Sequence, residues 1–177
     1  MSGNIARCIA LTSTLNLSRS AAARPTAAAV TIPIGHEQQH EGVIDLMRMK
    51  AVYFRGDHGE QIDLADIPVE LASSADEWHH KMVEKIAESD DVLTEQYLEG
   101  KEMTPQELKD ALRKATLVYK LVPVFCGSAL KNKGVQLVLD GVIDYLPSPI
   151  DLPPVKGINS NTNVSEERKP DDGEPLS

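Results

Sequence analysis

Residues 121–134 read Leu-Val-Pro-Val-Phe-Cys-Gly-Ser-Ala-Leu-Lys-Asn-Lys-Gly, and the fold class turns on how they are parsed. Leu121 to Phe125 is a short, wholly apolar run, the mark of a strand buried on both faces in an α/β sheet. Pro123 has no N–H to give a ladder, so it counts against a fully paired central position. Cys126-Gly127-Ser128-Ala129 is small and turn-prone. Gly134 to Leu146 then predicts an amphipathic helix, with Val135, Val138, Leu139, Val142 and Leu146 on one face and Pro147-Ser148-Pro149 to stop it. Strand, tight turn and helix in that order put backbone N–H groups at the carboxyl edge of a sheet. α/β folds hold their ligands there.

Upstream lie helices. Thr104-Pro105-Gln106-Glu107 is a capping box with Pro at the first helical position, and Leu108, Leu112 and Ala115 are its inward residues. Asp90 or Asp91 caps a shorter helix through Val92, Leu93, Tyr97 and Leu98, ended by Gly100. Pro68 suits the first turn of a third, whose apolar stripe is Leu71, Ala75, Trp78, Met82 and Ile86. Before these, Ala27 to Ile34 reads as one strand, Gly42 to Phe54 as an extended region, Arg55 to Gly59 as a turn and Gln61 to Ile67 as a returning strand. The expected class is mixed α/β.

Composition narrows the function. Aromatic residues are 4% of 177, so the core rests on aliphatic side chains. Eighteen Lys and Arg against 27 Asp and Glu give a net charge of −9, which argues against sequence-specific nucleic-acid binding driven by charge. No apolar run approaches the roughly 18 residues that span a bilayer. The two cysteines, Cys8 and Cys126, are too far apart in sequence and too few for a disulfide framework. Residues 1–24 hold Arg7, Arg19 and Arg24, no acid, and much Ser and Ala, the composition of an organelle transit peptide. After Pro153-Pro154 the chain turns polar and reads as a linker or tail.

Several local patterns carry possible chemistry. His36-Glu37-Gln38-Gln39-His40 matches H-E-x-x-H, in which two His on one helical face ligate zinc and Glu acts as base. Here Gly35 and Gly42 flank it and no apolar face would bury such a helix, so a polar loop between strands fits better than a zinc hydrolase. Adjacent His79 and His80 point about 100° apart on a helix and cannot readily share a metal. Cys126, after an apolar strand, reads as a buried structural thiol. Asn132-Lys133-Gly134 begins like the guanine-reading Asn-Lys-x-Asp element, but Val135 stands where the Asp must be. The sequence contains no G-x-x-x-x-G-K-[ST] phosphate loop. Ser128 is not in a G-x-S-x-G elbow.

The run Pro123 to Gln136, together with Asp144-Tyr145-Leu146-Pro147-Ser148-Pro149, resembles the elongation factor G family of translational GTPases. Ile32-Pro33-Ile34-Gly35, Gly42-Val43-Ile44-Asp45-Leu46, Met49-Lys50-Ala51, Tyr97-Leu98-Glu99-Gly100 and Ala111-Leu112-Arg113-Lys114 resemble the insert within that family's G domain. The resemblance implies residues 25–120 as the insert subdomain, a small sheet with helices. It implies 121–150 as the last strand, turn and helix of a P-loop-type GTPase domain and 151–177 as a linker toward a second domain. Residues 1–24 are unmatched. It further implies that Ser128, Ala129 and Leu130 form the guanine-contacting turn. The family uses GTP or GDP with Mg²⁺, and its partners are the ribosome and the ribosomal stalk protein, in the cytoplasm or, with a transit peptide, in a mitochondrion or plastid. The phosphate loop, both switch regions and the Asn-Lys-x-Asp element have no counterpart in these residues, and none of the five His matches the family's catalytic one. The expectation is a fragment that neither binds nor hydrolyses GTP alone; the alternative is a small module binding the stalk protein.

Overall fold

A computed structural model describes residues 7–10, 25–35, 39–56, 59–151, 154–158 and 163–168. The fold class is mixed α/β, as expected. The chain divides into two compact units, Met1–Leu146 and Pro147–Ser177.

The first unit holds strands β1 (Arg7–Ala10), β2 (Thr26–Ala29), β3 (Thr31–Ile34), β4 (Gly42–Asp45), β5 (Lys50–Arg55) and β6 (Gln61–Ala65). Helices α1 (Val69–Ala87), α2 (Asp91–Leu98) and α3 (Pro105–Leu117) follow, then strand β7 (Leu121–Gly127) and helix α4 (Val135–Tyr145). One sheet has the order β1-β7-β2 and the other β3-β4-β5-β6. In the first, β7 pairs antiparallel with β1 and parallel with β2.

Two expectations about strands need correction. Ala27 to Ile34 is two strands in different sheets, not one. Val30 is the joint: its N–H donates to Val124 O at 2.9 Å, and its carbonyl accepts from Leu46 N at 3.0 Å. The chain thus leaves the β7 sheet and enters the β4 sheet within a single residue. Gly42 to Phe54 is likewise a hairpin, not one extended region. The Asp45 carboxylate Oδ1 accepts from the backbone of Met47 at 2.9 Å and Arg48 at 3.2 Å, and Met49 takes a φ of 51° to close the turn. Burial holds the Asp45 carboxyl above its ordinary value, opposed by those two backbone donors and the Arg48 charge. The returning strand is present as β6, paired with β5 from Ala51↔Ala65 to Arg55↔Gln61.

β7 accommodates Pro123. Val124 O accepts from Val30 and Cys126 N–H donates to Thr31 Oγ1 at 2.8 Å, so even-numbered positions turn toward β2 and β3. Alternation aims the Pro123 nitrogen at the β1 side, beyond the last register pair Ala10↔Val124.

The helices begin and end on local signals. The capping box at Thr104 and Glu107 is formed in both directions, and Asp90 caps α2 by accepting from Val92 N at 3.0 Å. α2 and α3 end in the same motif. Gly100 N–H donates to Tyr97 O and Lys101 N–H to Gln96 O; Tyr119 N–H donates to Thr116 O and Lys120 N–H to Ala115 O. Gly100 takes the left-handed position with a φ of 71°, but at the second helix Tyr119 holds it with a φ of 60°. A Cβ costs about 1–2 kcal/mol in that region. Tyr119→Gly is therefore expected to stabilise the unit by about 0.5–1 kcal/mol, after the entropy that glycine adds to the unfolded chain. A rise in the urea midpoint checks it; a fall would mean that packing of the Tyr119 ring outweighs the strain.

The predicted faces of α1 and α3 are the buried ones, with Ala75, Met82 and Ile86 on the first and Leu108, Leu112 and Ala115 on the second; Trp78 is half out of the stripe. The predicted face of α4 is so only in part: Val138 and Leu146 pack on the core. Gly141 and Tyr145 are its buried residues, while Leu139 is 59% exposed and Val142 is exposed as well. α4 has one polar stripe, Gln136, Asp140 and Asp144, and is otherwise apolar, and the Tyr145 ring packs 6.3 Å from that of Phe125 on the sheet.

The segment read as a linker or tail contains a 3₁₀ turn (Pro149–Asp151) and two strands, β8 (Val155–Ile158) and β9 (Ser165–Arg168), paired antiparallel. Among the described residues no helix is long and apolar enough to cross a membrane.

Candidate functional site

The candidate site is the turn between β7 and α4. Gly127 and Gly134 bracket it, and their backbones touch. A Cβ on Gly134 would lie 2.8 Å from Cys126 O and 3.2 Å from Gly127 Cα; one on Gly127 would lie 2.7 Å from Lys133 O. Gly134 also has a φ of 83° as the N-cap of α4, so glycine is needed there for space and for conformation. Inside this clasp Ser128 N–H donates to Lys133 O at 2.8 Å and Lys133 N–H to Ser128 O at 3.0 Å. Asn132 N–H donates to Ala129 O at 3.2 Å, and Asn132 takes a φ of 51°, which an Asn tolerates.

These bonds divide the three residues singled out from the sequence. Ser128 is buried and its N–H is used within the turn. Ala129 and Leu130 are exposed, Leu130 at 79%, and their N–H groups have no partner among the described residues. The available donors at the tip are therefore those of Ala129 and Leu130, aimed at solvent beyond the carboxyl end of β7.

Three residues to which the sequence reading gave no holding role, Lys133, Gln136 and Gly59, hold the turn. Lys133 Nζ donates to His40 O at 3.0 Å, and Gln136 Nε2 donates to Gly59 O at 3.1 Å. A Cβ on Gly59 would lie 2.6 Å from Asn132 O. The loops after β3 and β5 thus clamp the turn from two sides. The paired glycines at 127 and 134 were the signal for a close approach; the loops were not visible, being remote in sequence.

The other candidates separate. His36 and Glu37 of the H-E-x-x-H pattern lie outside the described residues. His40 is buried with a relative exposure of 1%, and among the described residues neither ring nitrogen has a hydrogen-bond partner. His79 Nδ1–H donates to Leu46 O at 2.8 Å, which fixes its tautomer, and its ring lies 6.1 Å from that of His80 at 64°. Cys126 is buried, as expected. Among the described residues no group of three His, Cys, Asp or Glu is arranged to hold a metal. A largely apolar groove of about 610 Å³ lies between β2, β3, β7 and α1, lined by Ala29, Ile32, Leu71 and Trp78, with Ser74, Lys85 and Cys126 among its polar residues.

No protein-family model matches the chain. Over 149 residues it is 56% identical to elongation factor G from Aquifex pyrophilus, a match that covers 84% of this chain and 21% of that protein. The chain is related to elongation factor G. It spans about a fifth of the length of that curated relative. A crystal structure of a Thermus thermophilus protein matches with a TM-score of 0.61 and 26% identity, over 75% of this chain and 20% of that one.

Proposed function

We propose that this chain supplies the guanine-contacting turn and the insert of a translational GTPase of the elongation factor G type. The observation that carries the reading is the tip of the β7–α4 turn. Ala129 and Leu130 present open backbone N–H groups there, while glycines and a cross-turn hydrogen-bond pair keep the tip in place. Two N–H donors suit the carbonyl oxygen of guanine and leave an amino group unmatched, so adenine is disfavoured. GTP or GDP with Mg²⁺ is the cofactor of this reading. The described residues supply neither a phosphate loop nor a cluster for Mg²⁺. Base contacts alone are therefore expected to give a dissociation constant of roughly millimolar order, with no hydrolysis.

The partners of the same reading are the ribosome and its stalk protein, met through the exposed acidic residues of α1 and α2, and the place of action is where ribosomes work, in the cytoplasm or an organelle. The test is a titration of the full chain with GDP and with ADP, followed by amide resonances. GDP is expected to shift Ala129 and Leu130, and ADP to leave them unmoved. Equal shifts with both nucleotides, or none at millimolar GDP, would remove the guanine reading. Capture of the chain by purified stalk protein tests the partner separately.

A further inference from the structure

We infer that His40 is a pH-sensitive anchor of the β7–α4 turn, and that its protonation loosens the turn. Its carbonyl accepts from Lys133 Nζ at 3.0 Å, which ties this residue directly to the clasp. The residue is 1% exposed, and among the described residues both ring nitrogens lack partners. A neutral ring leaves one donor unmet; an imidazolium leaves two donors unmet and adds a charge to a dry site.

The charges that act on the ring make this worse. Lys133 and Lys131 both act on it from the turn. Glu41 is its chain neighbour and Glu60 lies on the loop after β5, yet the ring's preference is set by burial first and the two lysines next. All three push the His40 pKa below the ordinary histidine value. Gln136 Oε1, on the other residue that clamps the turn, is also buried without a partner among the described residues.

The sign follows from linkage. With the folded pKa depressed, neutral His40 costs nothing extra at high pH. As pH falls below about 6.5 the unfolded chain takes up a proton that the folded one resists, and stability is lost until the folded pKa is reached. One histidine limits this loss to at most about tenfold in the folding constant per pH unit. The cheapest way for the folded chain to accept the proton is to let Lys133 and the turn move away. The consequence for guanine recognition rests on the function proposed above; the anchoring does not.

The experiment is a titration of the full chain by NMR from pH 8 to 5, without nucleotide, following the His40 ring and the amides of Ser128 and Lys133. The amides are expected to move with the His40 midpoint, below the ordinary histidine value. In H40F, and in H40L as a second variant against misfolding, that movement should vanish, and the decline of the urea midpoint below pH 6.5 should shrink by roughly half or more. A ring midpoint at or above the ordinary value overturns the inference. So do turn amides that titrate identically in the variants. Because no nucleotide is present, these outcomes do not depend on the guanine reading, which the separate GDP titration tests.

Discussion

Gly134→Ala is expected to destabilise the first unit by about 2–4 kcal/mol and to open the turn that carries Ala129 and Leu130. Two effects add. The left-handed φ of 83° costs an L-residue about 1–2 kcal/mol. The new Cβ would also meet two backbone atoms, Cys126 O at 2.8 Å and Gly127 Cα at 3.2 Å, and neither swings aside as a side chain would. Relief requires β7 and α4 to part, which stretches the Ser128–Lys133 hydrogen-bond pair. Gly100→Ala isolates the first effect, because Gly100 has a similar φ of 71° with nothing within 4 Å of its would-be Cβ. The comparison is by urea unfolding. If both variants lose the same amount, the close approach at Gly134 is soft and the turn is not held by the clasp. If Gly134→Ala loses clearly more, and the amides of Ser128 and Lys133 shift, the paired glycines hold the turn in place.

What could be read from the sequence was what is decided locally. The capping box at Thr104, the cap at Asp90 and the glycine after α2 each act through atoms three to five residues apart, and each was legible. So was the buried strand at Leu121, because a wholly apolar run has few other places to go. The misreadings share one cause. Ala27 to Ile34 has one continuous β pattern, and the break at Val30 is imposed by Val124 and Leu46, neither of them near in sequence. The Gly42 to Phe54 region hides a turn because Leu46-Met47 is apolar enough to pass for strand; only the Asp45 side chain, bonding its own successors, reveals it. On α4 the apolar surface is broader than the predicted stripe, and Tyr145 packs on Phe125 from outside that stripe. For the site, the turn itself was legible from Gly127 to Gly134 and from the family resemblance. The clamp was not, since His40 and Gly59 lie 93 and 77 residues from their partners.

Leu112→Ala is expected to cost about 3–4 kcal/mol, the upper part of the range for a leucine in a core that cannot collapse. Leu112 is fully buried in the middle of α3. The core it belongs to draws on Ala28 of β2, Ile44 of β4, Met82 and Ile86 of α1, Phe125 of β7 and Tyr145 of α4. Those residues come from both sides of position 120, where the family resemblance would divide an insert from the end of a GTPase domain. A cavity among them removes contacts from both parts at once. The unfolding of Leu112→Ala is therefore expected to stay a single transition, shifted to lower urea. Trp78, the sole tryptophan, reports from α1, and the Ser128 amide reports from the turn. Coincident midpoints from the two probes mean that helices and turn share one cooperative core, so that damage in α3 reaches the candidate site through stability rather than contact. Leu64→Ala on β6, where the side chain is 63% exposed, should move both probes by under about 0.5 kcal/mol. If Trp78 instead keeps its wild-type midpoint while the turn melts early, the two parts unfold independently. The division at residue 120 would then be energetic as well as evolutionary, and the insert would be able to stand alone.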